Sequence, residues 1–283
     1  MNRKMYRIGN FCFEILCSSP LCFPTFFEQF QTENATEVSF TYEIFVTETL
    51  PIPEGKPIAM RPDLVVFGNE ALESRLFFFK GANAPYGCLK ELSEQHAQIW
   101  IHEAYLSLIP IDTVFGSLFA LERQMLKRNA LILHCSVLCH EGKAILFSGP
   151  SGIGKSTQAN LWVQHAQAFV LNGDRALLQQ NQGIWTANGW PICGSSEICL
   201  TDSSPIRAIV YLQQAKQNCA TRLSYVQSVK KLMEQVTVNA WNKTYVDAAW
   251  TLAEQIVGQI PAFSYACNMH PDAVTTLKQA LEE

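Results

Sequence analysis

Nine residues, GPSGIGKST at 149–157, constrain this chain more than any other stretch. They follow the apolar run AILFS and lead into a segment, Lys155 to about His165, that reads as a helix. The pattern is G-x-x-x-x-G-K-[ST], with Gly149, Gly154, Lys155 and Ser156 at the fixed places. A strand feeding a glycine-rich turn that feeds a helix is the context that gives this pattern meaning. Glycines let successive backbone N–H groups turn inward around an anion. The helix start adds further free N–H groups and the positive end of its dipole. The stretch therefore reads as a phosphate-binding loop over Gly149, Pro150, Ser151, Gly152, Ile153, Gly154, Lys155, Ser156 and Thr157. Lys155 is placed to reach the β- and γ-phosphates of a nucleotide such as ATP, and the Ser156 hydroxyl to ligate Mg²⁺.

The neighbours of the loop narrow the topology. LILHCSVLC (131–139) and KAILFS (143–148) read as two strands joined through His140-Glu141-Gly142-Lys143. A turn centred on Glu141-Gly142 pairs Cys139 with Ala144 and His134 with Gly149, whatever the even loop length. His134 then lies beside the first glycine of the loop, on a strand face shared with Ile132, Ser136 and Leu138. A histidine there is either a satisfied core residue or an acid/base group within reach of a γ-phosphate.

Downstream, AFVLN (168–172) is a short apolar strand that ends in Gly173-Asp174-Arg175. Helix followed by strand implies a right-handed crossover, so this strand runs parallel to AILFS and opens on the same sheet edge. Asp174 is a candidate to hold Mg²⁺, directly or through water, or to take a proton from an attacking hydroxyl. A surface turn pair with Arg175 is the plainer alternative. Arg175 either neutralises phosphate charge or pairs with Asp174. NGWPICGSSEI (188–198) is a loop by composition. Its Ser195 and Ser196 are candidates to contact a second substrate, and Glu197 to be a second metal ligand. A solvated turn is the alternative. Trp185 and Trp190 read as packing groups.

Elsewhere the first 110 residues look strand-rich, with FCFEILC (11–17), VSFTYEIFVTE (38–48), LVVFG (64–68), RLFFF (75–79) and AQIWIHEAYLSL (97–108). The four prolines of TETLPIPEGKPIAMRPD (47–63) argue against regular structure there, and GANAPYGC (81–88) reads as a loop. Residues 112–128 read as one helix capped by Asp112. ALLQQ (176–180) and GIWTA (183–187) form a second hairpin, and IRAIVYL (206–212) a buried strand. Val226, Val229, Met233 and Val236 mark one amphipathic helix, and Ala249, Leu252, Ile256 and Ile260 another. FSYAC (263–267) is a strand and 271–282 a closing helix. We expect a β-rich region over 1–110 and a loop-bearing domain over 111–283, with a soft boundary near 110–130.

Composition closes off several classes. With 21 Lys plus Arg and 25 Asp plus Glu, the net charge is −4, and the charged share is 16%. Nothing general draws such a chain to nucleic acid. A hydrophobic share of 48% supports a sizeable core and excludes wholesale disorder. Ten cysteines show no CxxC pair, and no His pair stands at zinc spacing. They read as small buried hydrophobes in a reducing cytoplasm. No run of about 20 apolar residues suggests a membrane span.

The stretch HCSVLCHEGKAILFSGPSGIGKS resembles the C-terminal kinase domain of HPr kinase/phosphorylase, which shares its nucleotide site with phosphoenolpyruvate carboxykinases. The resemblance runs from His134 to about Arg175 and keeps the histidine, its spacing to the loop and the Ser-Gly-Ile-Gly-Lys-Ser core. It implies an α/β fold with α+β elements, a mixed-sheet P-loop kinase core carrying a β-rich N-terminal region. The family ends the following strand in Asp-Asp and draws its acid/base aspartate from that pair. Here the pair is Gly173-Asp174, so one carboxylate is absent. The layout is also similar to stand-alone HPr-kinase-like proteins encoded beside ribosomally made peptides. The resemblance further implies a tendency to homo-oligomers.

The resulting expectation is a cytoplasmic, ATP- and Mg²⁺-dependent kinase of a hydroxyl, on a Ser or Thr of a protein or peptide or on a small alcohol. Catalysis would fall to Asp174, His134 and Lys155, and the metal to Ser156, Asp174 and Glu197. A non-catalytic ATP-binding module is the alternative, with Gly173 as its support. A carboxykinase would need clustered basic groups for its carboxylates, and none cluster near the loop.

Overall fold

A computed structural model describes residues 2–33, 37–69 and 71–282. The chain forms two compact units, Met1–Leu121 with Ala240–Thr244, and Glu122–Asn239 with Tyr245–Glu283. Helices and mixed sheets make up both. Among the described residues, no helix is long and apolar enough to cross a membrane.

The first unit holds β1 (Asn2–Ile8), β2 (Phe11–Cys17), α1 (Thr25–Glu28), β3 (Phe40–Thr47), β4 (Pro57–Arg61), β5 (Leu64–Gly68), β6 (Glu73–Phe78), β7 (Pro85–Ser93), β8 (His96–His102) and α2 (Asp112–Ser117). Its strands form one sheet in the order β1-β2-β3-β8-β7-β6-β5-β4, with β3 parallel to both neighbours. Alternation along β3 buries Phe40, Tyr42 and Ile44 on one face. The aromatic core includes Phe27 of α1 and Phe115 of α2, whose ring centroids lie 4.8 Å apart at a steep angle. Trp241 ties its segment to this unit. Its Nε1 donates to Oε1 of buried Glu73 at 3.1 Å.

Several expectations for this half need correction. The proline-rich stretch is not wholly irregular, because β4 occupies its end. Pro57 is the first residue of an edge strand, where a missing N–H costs no ladder bond. The loop expected over 81–88 is in part strand, since β7 starts at Pro85. The strand expected over 97–108 stops at His102 and gives way to a 3₁₀ turn over Glu103–Leu108. The single helix expected over 112–128 is two, α2 and α3 (Leu121–Leu126), broken where Ala120 takes a φ of 48°. Asp112 is the first residue of α2 rather than its cap, which is Ile111.

After α3, the second unit continues with β9 (Ala130–His140), β10 (Lys143–Ser148), α4 (Lys155–Ala166), β11 (Phe169–Asn172), β12 (Arg175–Asn181), β13 (Ile184–Asn188), β14 (Ser203–Gln214), β15 (Cys219–Arg222), α5 (Tyr225–Met233), α6 (Lys243–Gln259), β16 (Ala262–Cys267) and α7 (Asp272–Glu282). Val236 and Ile260 fall just beyond α5 and α6.

Two long strands, β9 and β14, each serve two sheets. The first half of β9 pairs with β12, and its second half with β10 and β11. β14 pairs with β13 at its start and with β10 and β16 beyond. The larger sheet therefore runs β11-β9-β10-β14-β16-β15. β10, β14 and β16 are parallel, and β11 runs the same way as β10 with β9 between them. The C-terminal ends of these four strands share one edge, the usual place for ligands in such sheets. Alternation sends Ile145, Phe147 and Val210 into a core with α4 and α7. Ala144, Leu146 and Ile209 enter the opposite core with α5 and α6. Burial at about 25 cal/mol per Å² of apolar surface holds the helices on both faces.

Both hairpins turn on two residues in the left-handed region. Glu141 and Gly142 have φ of 51° and 72°, and Gln182 and Gly183 have φ of 48° and 83°. Cys139 pairs with Ala144 as the turn chemistry requires. All ten cysteines are free thiols, buried except Cys22 and Cys219.

Candidate functional site

The loop 149–154 spans the gap between β10 and α4. Gly149, Gly152 and Gly154 have φ of 141°, 79° and 110°, values that strain any residue with a Cβ. This conformation carries the chain from strand to helix while leaving the first N–H groups of α4 without helical partners. Lys155 is buried, and its Nζ donates to the carbonyls of Gly149 at 3.0 Å and Pro150 at 3.2 Å. Burial pushes its pKa down, while Asp174 acts in the opposite sense. The Asp174 charge thus acts on Lys155 although 19 positions separate them in sequence. Ser151, Ser156 and Thr157 are exposed along the loop and the first turn of the helix.

His134 lies one step past the last rung of the hairpin, which is Cys135 with Ser148. The expected pairing with Gly149 is replaced by one with Arg175 on β12. The position beside the loop is kept, since Ser148 Oγ donates to the His134 carbonyl at 2.8 Å. The His134 N–H donates to Gln235 O, so its backbone is fixed from both sides. Its Nε2 stands 3.5 Å from Asp174 Oδ1. Arg175 Nε stands 3.1 Å from Asp174 Oδ2. The His134 hydrogen bond is the main cause that holds the Asp174 carboxyl below the usual range; burial opposes it and Arg175 adds to it. His134, Asp174 and Arg175 therefore form one half-buried cluster at the edge where the loop begins.

The turn bearing Asp174 is organised by a residue with no evident sequence signal beyond an Asn-Gly-Asp turn. Asn172 is fully buried. Its Oδ1 accepts from the N–H groups of Asp174 and Arg175, each at 2.9 Å. Its Nδ2 donates to the carbonyls of Trp190 and Ile192 at 2.8 and 3.2 Å. One side chain thus ties the loop 189–196 to the catalytic candidate. Leu200 N donates to Leu171 O, and Gly173 N to Ile198 O, which extends the same seam.

That seam explains Gly173. A Cβ there would stand 2.1 Å from Ser196 Oγ, so the space of a side chain at 173 is filled by Ser196. Ser196 Oγ donates to Cys193 O at 2.6 Å and accepts from Ile198 N at 3.3 Å. Of the loop candidates, Ser196 is therefore engaged in holding the turn, and Ser195 and Glu197 are exposed. Gly194 backs onto the Asp174 carboxyl, 3.2 Å from its Cγ by the same construction. Among the described residues, no three His, Cys, Asp or Glu side chains converge on a metal-sized site. Glu197 is not gathered with Asp174 and His134 into such a group. Trp185 and Trp190 are buried packing groups.

Fold and site together define a mixed-sheet α/β unit whose strand-to-helix glycine loop is flanked by a histidine–aspartate–arginine cluster. Residues 106–273, more than half of the chain, match the family described as SynChlorMet cassette protein ScmC, and the chain belongs to that family. Curated proteins give no match. Among solved structures, the chain is similar to the Hpr(Ser) kinase/phosphatase from Coxiella burnetii at 8% identity, covering 53% of this chain and 92% of that one with a TM-score of 0.32. A likeness so slight says nothing about chemistry.

Proposed function

We propose that the protein is an ATP-dependent phosphotransferase that phosphorylates a hydroxyl, with a Ser or Thr of a protein or peptide as acceptor. The observation that carries this reading is the cluster at the mouth of the glycine loop, where His134, its carbonyl held by Ser148 Oγ, stands 3.5 Å from the Asp174 carboxylate of the neighbouring strand end. A loop that can cradle phosphates then faces an ionised acid and its histidine, the parts phosphoryl transfer needs. The family's description as a cassette protein fits an acceptor encoded alongside.

The residues divide the work. N–H groups of the loop and the start of α4 hold the phosphate oxygens. Lys155 exchanges its loop carbonyls for the phosphates and carries charge as it develops on them. The His134–Asp174 pair receives the acceptor's proton; because the two share a hydrogen bond, the proton belongs to the pair. The His134 hydrogen bond, with Arg175 adding to it, favours the ionised form of Asp174. Ser156 and Asp174 supply hard oxygen donors of the kind Mg²⁺ takes, and the metal would neutralise phosphate charge there.

The second reading is a nucleotide-binding module without turnover, and Gly173, its space filled by Ser196, is the observation behind it. Incubation with γ-labelled ATP and candidate peptides or small alcohols separates the two. Label transfer that Lys155→Ala abolishes supports the kinase. Binding without transfer or hydrolysis to any acceptor supports the module.

A further inference from the structure

The sheet of the first unit has two edges, and they are finished differently. β1 is shielded by the segment after α1, where Arg7 N donates to Phe30 O, Thr32 N donates to Met5 O, and Tyr6 is bridged to Gln31. β4, at the other end, pairs with β5 alone. Among the described residues, no backbone hydrogen bond reaches its outer side. A bare edge is a template for another extended chain.

Met60 joins that edge to the apolar face behind it. The ladder registers set Trp100, Cys88, Leu76, Val65 and Met60 side by side across β8, β7, β6, β5 and β4. Cross-strand neighbours share a face, so these five side chains form one row. The inner part of the row is covered, with Leu50 packed against Leu76 and Cys88. Cover ends before the edge, where Met60 is 73% exposed. Alternate residues of an antiparallel strand turn their N–H and C=O away from the partner strand. Counting from Arg61, which closes the two-residue turn with Leu64, that residue is Met60. Its backbone and its side chain are thus both open to one added strand.

Charge and size select the occupant. Arg61 is compensated by Asp63, 3.1 Å away. Glu54 lines a separate groove with Lys90 and Ser74. Lys56, just before β4, is exposed and has no ion pair. A second copy of the chain is a poor match. Two five-residue strands, each with only Ile58 and Met60 as exposed large apolar groups, fall short of the roughly 1,000 Å² that a stable interface buries. A peptide needs less, because main-chain bonds supply its affinity and alternate side chains its specificity. We infer that β4 docks an extended peptide segment by strand addition, with an apolar residue beside Met60 and an acidic residue facing Lys56. The irregular register between Pro57 and Ala59 counts as an extra residue on β4, so the acid lies about three to four positions from the apolar residue. This surface is independent of the glycine loop and of its reading.

Fluorescence anisotropy with the full chain tests it. The probes are short fluorescein-labelled peptides in a Ser/Thr background, each with a central Leu and with Glu, Lys or Gln at the flanking places that reach Lys56. The Glu set is expected to bind about fivefold more tightly than the Lys set. Met60→Pro removes the outward N–H at a place where an edge strand tolerates proline, and should weaken the Glu set by about tenfold or more. Lys56→Glu should invert the preference, so that the Lys set binds more tightly. Should Met60→Pro fail to fold, Lys56→Glu decides alone, since it alters only an exposed side chain. ATP affinity, measured alongside, should be the same in all three chains. Absence of binding by every set, or a preference that Lys56→Glu leaves in place, overturns the docking edge. A concentration-dependent dimer in light scattering that Met60→Pro abolishes also overturns it, because the edge then belongs to a second copy.

Discussion

The two flanks of the glycine loop are built on opposite principles. On the side of β9 and β12, His134, Asp174 and Arg175 meet at distances of 3.1–3.5 Å, and His134, with Arg175 adding to it, holds the Asp174 carboxyl below its usual range. On the side of β14 and β16, amides and apolar side chains line a groove with Lys216 and His270 among them and without a carboxylate. The same sheet edge supports both because β10 sits in the middle of it, with β9 on one side and β14 on the other. The lesson is that one glycine loop, set in the middle of a sheet edge, can be given two chemically unlike neighbours by the strands on either side of it.

The largest expected effect comes from the lysine of the loop that lies between the two flanks. Lys155→Ala should abolish phosphotransfer and weaken binding of ATP and tripolyphosphate alike, with far-UV circular dichroism unchanged. Labelled-ATP transfer and calorimetry read it. Wild-type turnover by this variant would sink the proposed activity.

Asp174→Asn touches the charged flank only. We expect kcat to fall by about 10²–10³-fold, in the range for loss of acid–base catalysis, with KM for ATP changed far less. A variant that instead raised KM and spared kcat would move Asp174 from chemistry to binding.

Gly173→Ala sharpens the comparison through stability. The new Cβ must displace Ser196, so overpacking should cost about 1–3 kcal/mol in chemical denaturation. In a double-mutant cycle, Ser196→Gly should recover part of that loss, because it vacates the space. Additive losses would show that the two sites do not share it.

The smallest effect is in the pH dependence of folding. The folded pKa of Asp174 is depressed, so its contribution is present above the ordinary carboxylate value near 4 and is lost as pH falls through the lower folded value. Wild-type stability should therefore drop more steeply than that of Asp174→Asn as acid is added below about pH 4. Thermal melts from pH 6 to pH 2 read the difference. Parallel curves would remove the electrostatic account of the cluster.

Much of the charged flank was legible in the sequence. Hairpin arithmetic brought His134 to the mouth of the loop, and the crossover rule brought Asp174 to the same edge. The exact partner of His134 was not legible. It is Arg175 on β12, because β9 bends away from β10 after Cys135 and continues in a second sheet. Asn172 was missed because its four hydrogen bonds reach carbonyls and amides that lie up to 20 positions away. In the first unit, prolines concealed β4, since only sheet order reveals that Pro57 begins an edge strand.

The sequence by itself determined the loop, the hairpin register and the direction of the strand that ends in Asp174. These follow from backbone sterics: glycines that accept positive φ, two-residue turns and the handedness of crossovers. The tertiary structure decided which side of the loop is charged and which is a groove, and why position 173 has no side chain. Those outcomes depend on contacts between residues tens of positions apart, and a linear pattern carries no record of which distant atom fills a given space.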